Sequence, residues 1–219
     1  MIYERELPIR AAGIRVLPAC SALSTVSALM LHTCGIEQPA RLSAYLLPAS
    51  RYTANPGAVE SFLGAVEGRS RKFRFPDPIG DRRGVAVRTV DAVTLPRSFP
   101  SLHTIDLAVD SGTISGNLLL PSKTFRRLIA RFEPSILKIA KRFGETNGIL
   151  AYEIASALRH KQMILTGARS YLLAVLPAVQ AATAIAAGRF PHRGIVAPAD
   201  HVDAGEFFEA VRREGIAIT

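Results

Sequence analysis

SYLLAVLPAVQAATAIAAG, residues 170–188, is the stretch whose reading sets the class of the protein, and it holds no charged side chain. As a membrane span it makes an anchored protein. As a core helix it makes a compact domain in which a helix packs on a sheet. Its length approaches the roughly 20 residues a spanning helix needs. Against a span stand Pro177, Gln180 and an alanine-rich second half that is only weakly lipophilic. Leu172, Val175, Leu176 and Val179 share one helical face, and Ala182 and Ala186 continue it. The expectation is a buried helix and no integral membrane span.

The whole chain agrees with a sizeable core. It has 219 residues, of which 48% are hydrophobic and 21% charged, a balance that excludes intrinsic disorder. Net charge is +9, which permits an anionic partner or simply a solvated basic surface. Two cysteines, Cys20 and Cys34, make neither a disulfide scaffold nor a zinc site and read as buried thiols. The N-terminus MIYERELPIR lacks an apolar signal segment, so the expected compartment is the cytoplasm.

Outward from the opening stretch, local signals place the other elements. Residues 148–156 and 161–167 read as a hairpin, and 41–47 as a strand. Residues 5–19 read as a short helix followed by a buried strand at 14–17, and Ser21 or Ser24 can cap a helix carrying Val26, Leu29 and Met30. Asn55 with Pro56, Ser122, and Asp203 with Glu206 are three further helix starts. Gly215 is placed as a helix stop. Phe73 and Phe75, then Val85 and Val87, then Ile105, Leu107 and Val109 alternate as strands do. The fold expected is α+β, a mixed β-sheet covered mainly on one face by helices.

Positive charge concentrates in 122–143. Lys123, Arg126, Arg127, Arg131, Lys138, Lys141 and Arg142 stand against Glu133 alone. At helical spacing this is the wet face of two amphipathic helices broken at Pro134. No stacking platform or nucleic-acid motif accompanies it, so nucleic acid is not an expected partner.

Motifs that would carry chemistry alone are missing. There is no G-x-G-x-x-G, Walker A loop, H-E-x-x-H or G-x-S-x-G. His32, His103, His160, His192 and His201 have no metal-ligand spacing and read as surface or core histidines. Candidate binding residues are Ser21 and Ser24, where free N–H groups at a helix N-terminus can receive an anion or a carbonyl. Arg88, Arg97 and Arg169 are candidate carboxylate clamps or, alternatively, surface arginines in ordinary ion pairs. Arg97, after Pro96 at the end of a strand-like run, leads among them. Cys20 beside Ser21 reads either as a thiolate activated by a helix N-terminus or as a buried gap filler.

Three stretches carry a resemblance when taken in order. They are AAGIRVLPACSALSTVSAL (11–29); NPGAVESFLGAVEGR (55–69) with VRTVDAVTLPRSFPSLHTIDLAVDSG (87–112); and SYLLAVLPAVQAATAIAAGRFPHRGIVAPADHVDAGEFF (170–208). The order resembles the C-terminal part of saccharopine dehydrogenase-like oxidoreductases. The resemblance implies that 1–20 are the end of a nucleotide-binding domain and that 21–219 are a substrate-binding and dimerisation domain. It implies NAD or NADP as cofactor in a full-length relative, with Cys20 and Ser21 nearest to it. Met1 would fall late in the nucleotide-binding domain, and without a Gly-rich loop no tight cofactor binding by this chain alone is expected. The implied partners are a second copy and a small carboxylate or amino-acid-derived ligand. The alternative expectation is a non-catalytic dimeric interaction module that uses 123–142 to meet an acidic partner or an anionic membrane.

Overall fold

The computed structural model describes residues 2–219, Ile114 by its backbone. Met1, which the sequence reading places late in a nucleotide-binding domain, lies outside the described residues. The protein is α+β. Its strands are β1 (Arg15–Val16), β2 (Arg41–Leu47), β3 (Val66–Arg74), β4 (Asp81–Val87), β5 (Thr104–Val109), β6 (Gly148–Ala155), β7 (His160–Gly167), β8 (Gly194–Ile195) and β9 (Ala217–Ile218). Its α-helices are α1 (Glu6–Ala11), α2 (Thr25–Thr33), α3 (Ser50–Thr53), α4 (Pro56–Ala65), α5 (Asp91–Thr94), α6 (Ile114–Leu119), α7 (Lys123–Arg131), α8 (Glu133–Phe143), α9 (Leu176–Ala186) and α10 (Ala204–Arg213).

A seven-stranded mixed sheet runs in the order β3-β4-β5-β2-β6-β7-β9. Its one parallel pair is β2 with β5. The strands β2, β5 and β6 obey the period of two strictly. Leu42 and Ala44, Leu107, and Leu150, Tyr152 and Ile154 point to one face, where they share a core with α2 and with Phe207 and Val211 of α10. Tyr45 and Leu47, Ala108, and Ile149 and Ala151 point to the other. That second face is closed by the chain's own β3–β4 hairpin rather than by helices. A register shift between Val66 and Ser70 bends β3. Phe73 and Phe75 then lie against Tyr45, with ring centroids 5.1 and 5.0 Å away. Arg71 reaches Ser43 at 2.8 Å and makes ion pairs with Asp106 at 3.1 Å and Glu153 at 3.5 Å, which lie on three different strands. Gly84 lets the strands approach closely here, since a Cβ would stand 3.0 Å from the Ala108 Cβ and oblige its neighbours to shift. The expected mixed sheet with helices mainly on one face is therefore the observed one.

Local signals placed most elements correctly. The side chains of Asn55, Ser122 and Asp203 accept from Ala58, Phe125 and Glu206 N–H and cap α4, α7 and α10. Gly215, at φ 75°, ends α10. The 148–167 hairpin is β6–β7.

Residues 170–188 agree with the expectation that they do not span a membrane and differ in which side chains they bury. No helix among the described residues is long and apolar enough to cross a membrane. The stretch is a 3-10 turn over Ser170–Ala174 followed by α9, and its buried side chains are Leu173, Pro177 and Ala181. Val175 and Val179, expected inside, are 49% and 58% exposed. The change of helix type near Pro177 shifts the phase between the two halves, so a single 3.6-residue stripe drawn across them selects the wrong residues. The helix sealed into the core is α2, whose residues Thr25 through Leu31 are all buried. The segment at 14–17 also differs from expectation. Its strand, β1, is only half-buried, pairs in parallel with β8, and leaves Ile14 52% exposed.

Candidate functional site

The sequence led to the start of α2, and this is where the molecule spends its unusual backbone. Ser24 stands at φ 65° and ψ −63°, with Thr25 N–H bonded to Leu23 C=O at 2.9 Å. This is the rare γ-turn in which the central residue carries positive φ, strained for any residue with a Cβ. Ala19, at φ 54°, adds a second left-handed position. Side chains from distant segments hold the turn. Ser24 Oγ donates to Asp91 Oδ1 at 2.8 Å and lies 2.8 Å from Thr94 Oγ1. Ser27 Oγ, one helical turn on, donates to Asp91 Oδ2 at 2.7 Å. Tyr152 OH of β6 stands 3.4 Å from Ser27 Oγ and donates to Ala22 C=O at 3.4 Å.

Thr25 points elsewhere, to His201 Nδ1 at 2.8 Å, while His201 Nε2 faces Val196 C=O at 3.2 Å. A carbonyl only accepts, so Nε2 carries the proton and Nδ1 accepts from Thr25. The cluster is closed: Ser24, Thr25, Ser27, Asp91, Thr94 and His201 are all buried.

Burial dominates its electrostatics. The Asp91 carboxyl is pushed above its ordinary range by desolvation, only partly offset by the Ser27, Ser24 and Thr89 hydrogen bonds. Desolvation lowers His201 to about 4, against weaker raising effects of Val196 C=O and Asp200. The histidine is neutral in the folded chain at neutral pH. Between its folded value near 4 and its ordinary 6.5, the unfolded chain binds a proton that the folded chain refuses. Its contribution is therefore complete above 6.5 and lost as pH falls through 4. We expect stability to climb over that window with a slope of at most about 1.4 kcal/mol per pH unit. Asp91, with its raised folded value, works against this slope. Urea midpoints measured at intervals across the window, compared with His201→Gln, check it. An equal slope in the variant would assign the dependence to other groups.

The residues singled out from sequence divide. Ser24 occupies the N-cap position but does not cap; its hydroxyl is turned to Asp91. The N–H groups expected to be free are in use, Thr25 N–H by Leu23 C=O and Val26 N–H by Ser21 C=O at 3.4 Å. Ser21 and Cys20 are half-buried on the loop, and Cys20 forms an antiparallel bridge with Ser24. Burial pushes the Cys20 thiol up, outweighing a Thr25 hydrogen bond, so the activated-thiolate reading has no support in its environment. On the same loop Ser21 N–H is bonded to Ala19 C=O at 2.8 Å.

The three arginines are held in separate places. Arg88 donates to Gly64 C=O at 3.4 Å, and Arg169 pairs with Glu214 at 2.7 Å. Arg97 lies 3.9 Å over the Tyr3 ring and 3.8 Å from Glu6. Its segment is helical, α5 followed by a 3-10 turn over Leu95–Arg97, and not the strand-like run expected. Thr89 Oγ1 accepts Asp91 N–H at 3.2 Å and starts that turn. Sequence reading missed Asp91, Thr94, Ser27, Tyr152 and the role of His201. The one available signal was in DAVTLP (91–96), where Asp91 and Thr94 stand three residues apart and so share one face of a helical turn.

Two open depressions lie elsewhere. One, of about 450 Å³, is lined by Ser122, Phe125, Arg127, Leu128 and their neighbours on α7, and the other, of about 490 Å³, by Val66, Glu67, Arg69 and Arg88. The fold and this cluster define an α+β protein whose central helix is anchored at its N-terminus by a buried carboxyl. No protein-family model and no curated protein matches the chain.

Proposed function

We propose that the chain is the substrate-binding and dimerisation part of a saccharopine dehydrogenase-like NAD(P)-dependent oxidoreductase, working in the cytoplasm. The observation that supports this reading is the meeting point of the three resembling stretches. Residues 11–29 supply Ser24, Thr25 and Ser27, residues 87–112 supply Asp91 and Thr94, and residues 170–208 supply His201. The first and third stretches meet again where β1 runs parallel to β8. Parallel pairing of two isolated dipeptides is weak. In this reading the β1–β8 layer belongs at the edge of a nucleotide-binding sheet, and the larger sheet carries substrate and dimer contacts. Arg97 is the leading carboxylate clamp, since its ion pair with Glu6 is long and can be exchanged for a ligand.

A second reading is a non-catalytic interaction module. It rests on the apolar side chains that α7 and α8 leave exposed beside their cations.

Two titrations test the first reading. NADPH should show no saturable emission change with this chain at micromolar protein, because no phosphate loop is present. L-Glutamate, as a probe carboxylate, should raise the melting temperature at millimolar concentration, and Arg97→Met should abolish the rise. Tight NADPH binding by this chain would overturn the division of labour, and an undiminished shift in Arg97→Met would remove Arg97 from the site.

A further inference from the structure

Helices α7 and α8 bury no side chain fully. Their sequences share a pattern. Along α7 and its C-cap residue, Arg127 precedes Leu128 and Arg131 precedes Phe132; on α8, Lys138 precedes Ile139 and Arg142 precedes Phe143. Each cation–apolar doublet recurs after four residues, so each helix presents a row of cations beside a row of large apolar side chains. The apolar members face solvent: Phe132 is 52% and Phe143 73% exposed, and Leu128 and Ile139 are comparable. The cations beside them make no ion pair among the described residues; Arg142 instead lies 5.3 Å over the Phe143 ring. Half-buried Phe125 and Ile129 of α7 and Ile136 and Leu137 of α8 form the inner side of each helix.

We infer that this face is a peripheral docking surface for an anionic lipid bilayer. The inference does not rest on the oxidoreductase reading. Leu128, Phe132, Ile139 and Phe143 protrude singly along two short helices, and the open depression beside them is lined by α7 and its N-cap alone, which is not the fitted groove a protein partner takes. A bilayer needs none. Leu128, Phe132, Ile139 and Phe143 enter the boundary between headgroups and acyl chains, while the preceding cations extend sideways to the phosphates. A second copy is the poorer occupant, because a two-fold contact through this face sets cation rows against each other. The net charge of +9 adds long-range attraction toward the same surface.

Flotation of the 219-residue chain with phosphatidylcholine vesicles containing a third phosphatidylglycerol tests the inference. Binding is expected on these vesicles, is absent on phosphatidylcholine alone, and weakens as salt rises. Replacing Leu128, Phe132, Ile139 and Phe143 together by Ser should lower partitioning about tenfold or more, as should reversing Arg127, Arg131, Lys138 and Arg142 to Glu. Far-UV circular dichroism checks that both variants fold. The chain has no tryptophan, so the conservative single variant Phe143→Trp supplies a clean reporter whose emission should shift to the blue on anionic vesicles. Several results would overturn the inference. They are no binding at low salt, binding that survives the Ser variant, an unshifted Trp emission in the bound state (an acidic surface met without insertion), or a dimer that the Ser variant dissolves.

Discussion

Leu29→Ala is expected to destabilise the fold by about 3 kcal/mol, and Val179→Ala by less than about 0.5 kcal/mol. Both residues are aliphatic and helical, and from composition the long apolar stretch around Val179 looks the more central. The structure reverses that order. Leu29 is 1% exposed and belongs to the principal core with Leu42, Tyr152, Leu165 and Phe207. Deleting most of its side chain removes buried apolar area and leaves a cavity between α2 and the sheet, where neither side relaxes freely. Val179 lies largely in solvent on α9, so its truncation forfeits few contacts. Urea unfolding of the two variants beside the parent measures this, with the slope expected unchanged and only the midpoint moving. Comparable losses in both would mean that α9, not α2, is the helix on which the core depends.

Asp91→Ala should be at least as damaging, about 3–4 kcal/mol, while Asp91→Asn should cost about 1–2 kcal/mol. Alanine strips the acceptors from the Ser24 and Ser27 hydroxyls, which are sealed from water. It also removes the tether that holds Ser24 at positive φ, so the γ-turn strain is no longer offset. Asparagine keeps one acceptor oxygen and the shape. It also lacks the cost of ionising a buried acid. Asp91 has a folded value raised above 3.8, so its own contribution is complete below that value and falls away as pH rises through the folded value. The deficit of Asp91→Asn relative to the parent should therefore shrink between pH 4 and pH 7. Chemical denaturation of both variants at the two pH values decides the matter. A loss under about 1 kcal/mol for Asp91→Ala would show that the turn stands without its carboxyl.

Features governed by neighbours in the chain were readable in advance. Asn55, Ser122 and Asp203 cap helices because a short oxygen-bearing side chain reaches an amide three residues on, whatever surrounds it. The strands at 41–47 and 148–156 were legible as short, mostly apolar runs, because both faces of each are covered and nearly every position is buried. The α+β class follows from such runs together with the capped helix starts. The candidate site was legible only as a place. Ser21 and Ser24 drew attention to the right loop, but the group that organises it, Asp91, is 67 residues away from Ser24, and His201 is 176 from Thr25.

Residues 170–188 show where that kind of reading stops. Amino-acid types alone said that this stretch is apolar, helical and interrupted by Pro177. They could not say which side is buried, because burial depends on what lies opposite. A 3-10 turn before α9 offsets the stripe, and Leu173, Pro177 and Ala181 face inward instead. The complete burial of α2, the closing of the sheet's second face by Phe73 and Phe75, and the convergence of Ser24, Asp91 and His201 have the same origin. Each is set by contacts between segments far apart in sequence, whose free energy exists only once the chain has brought them together.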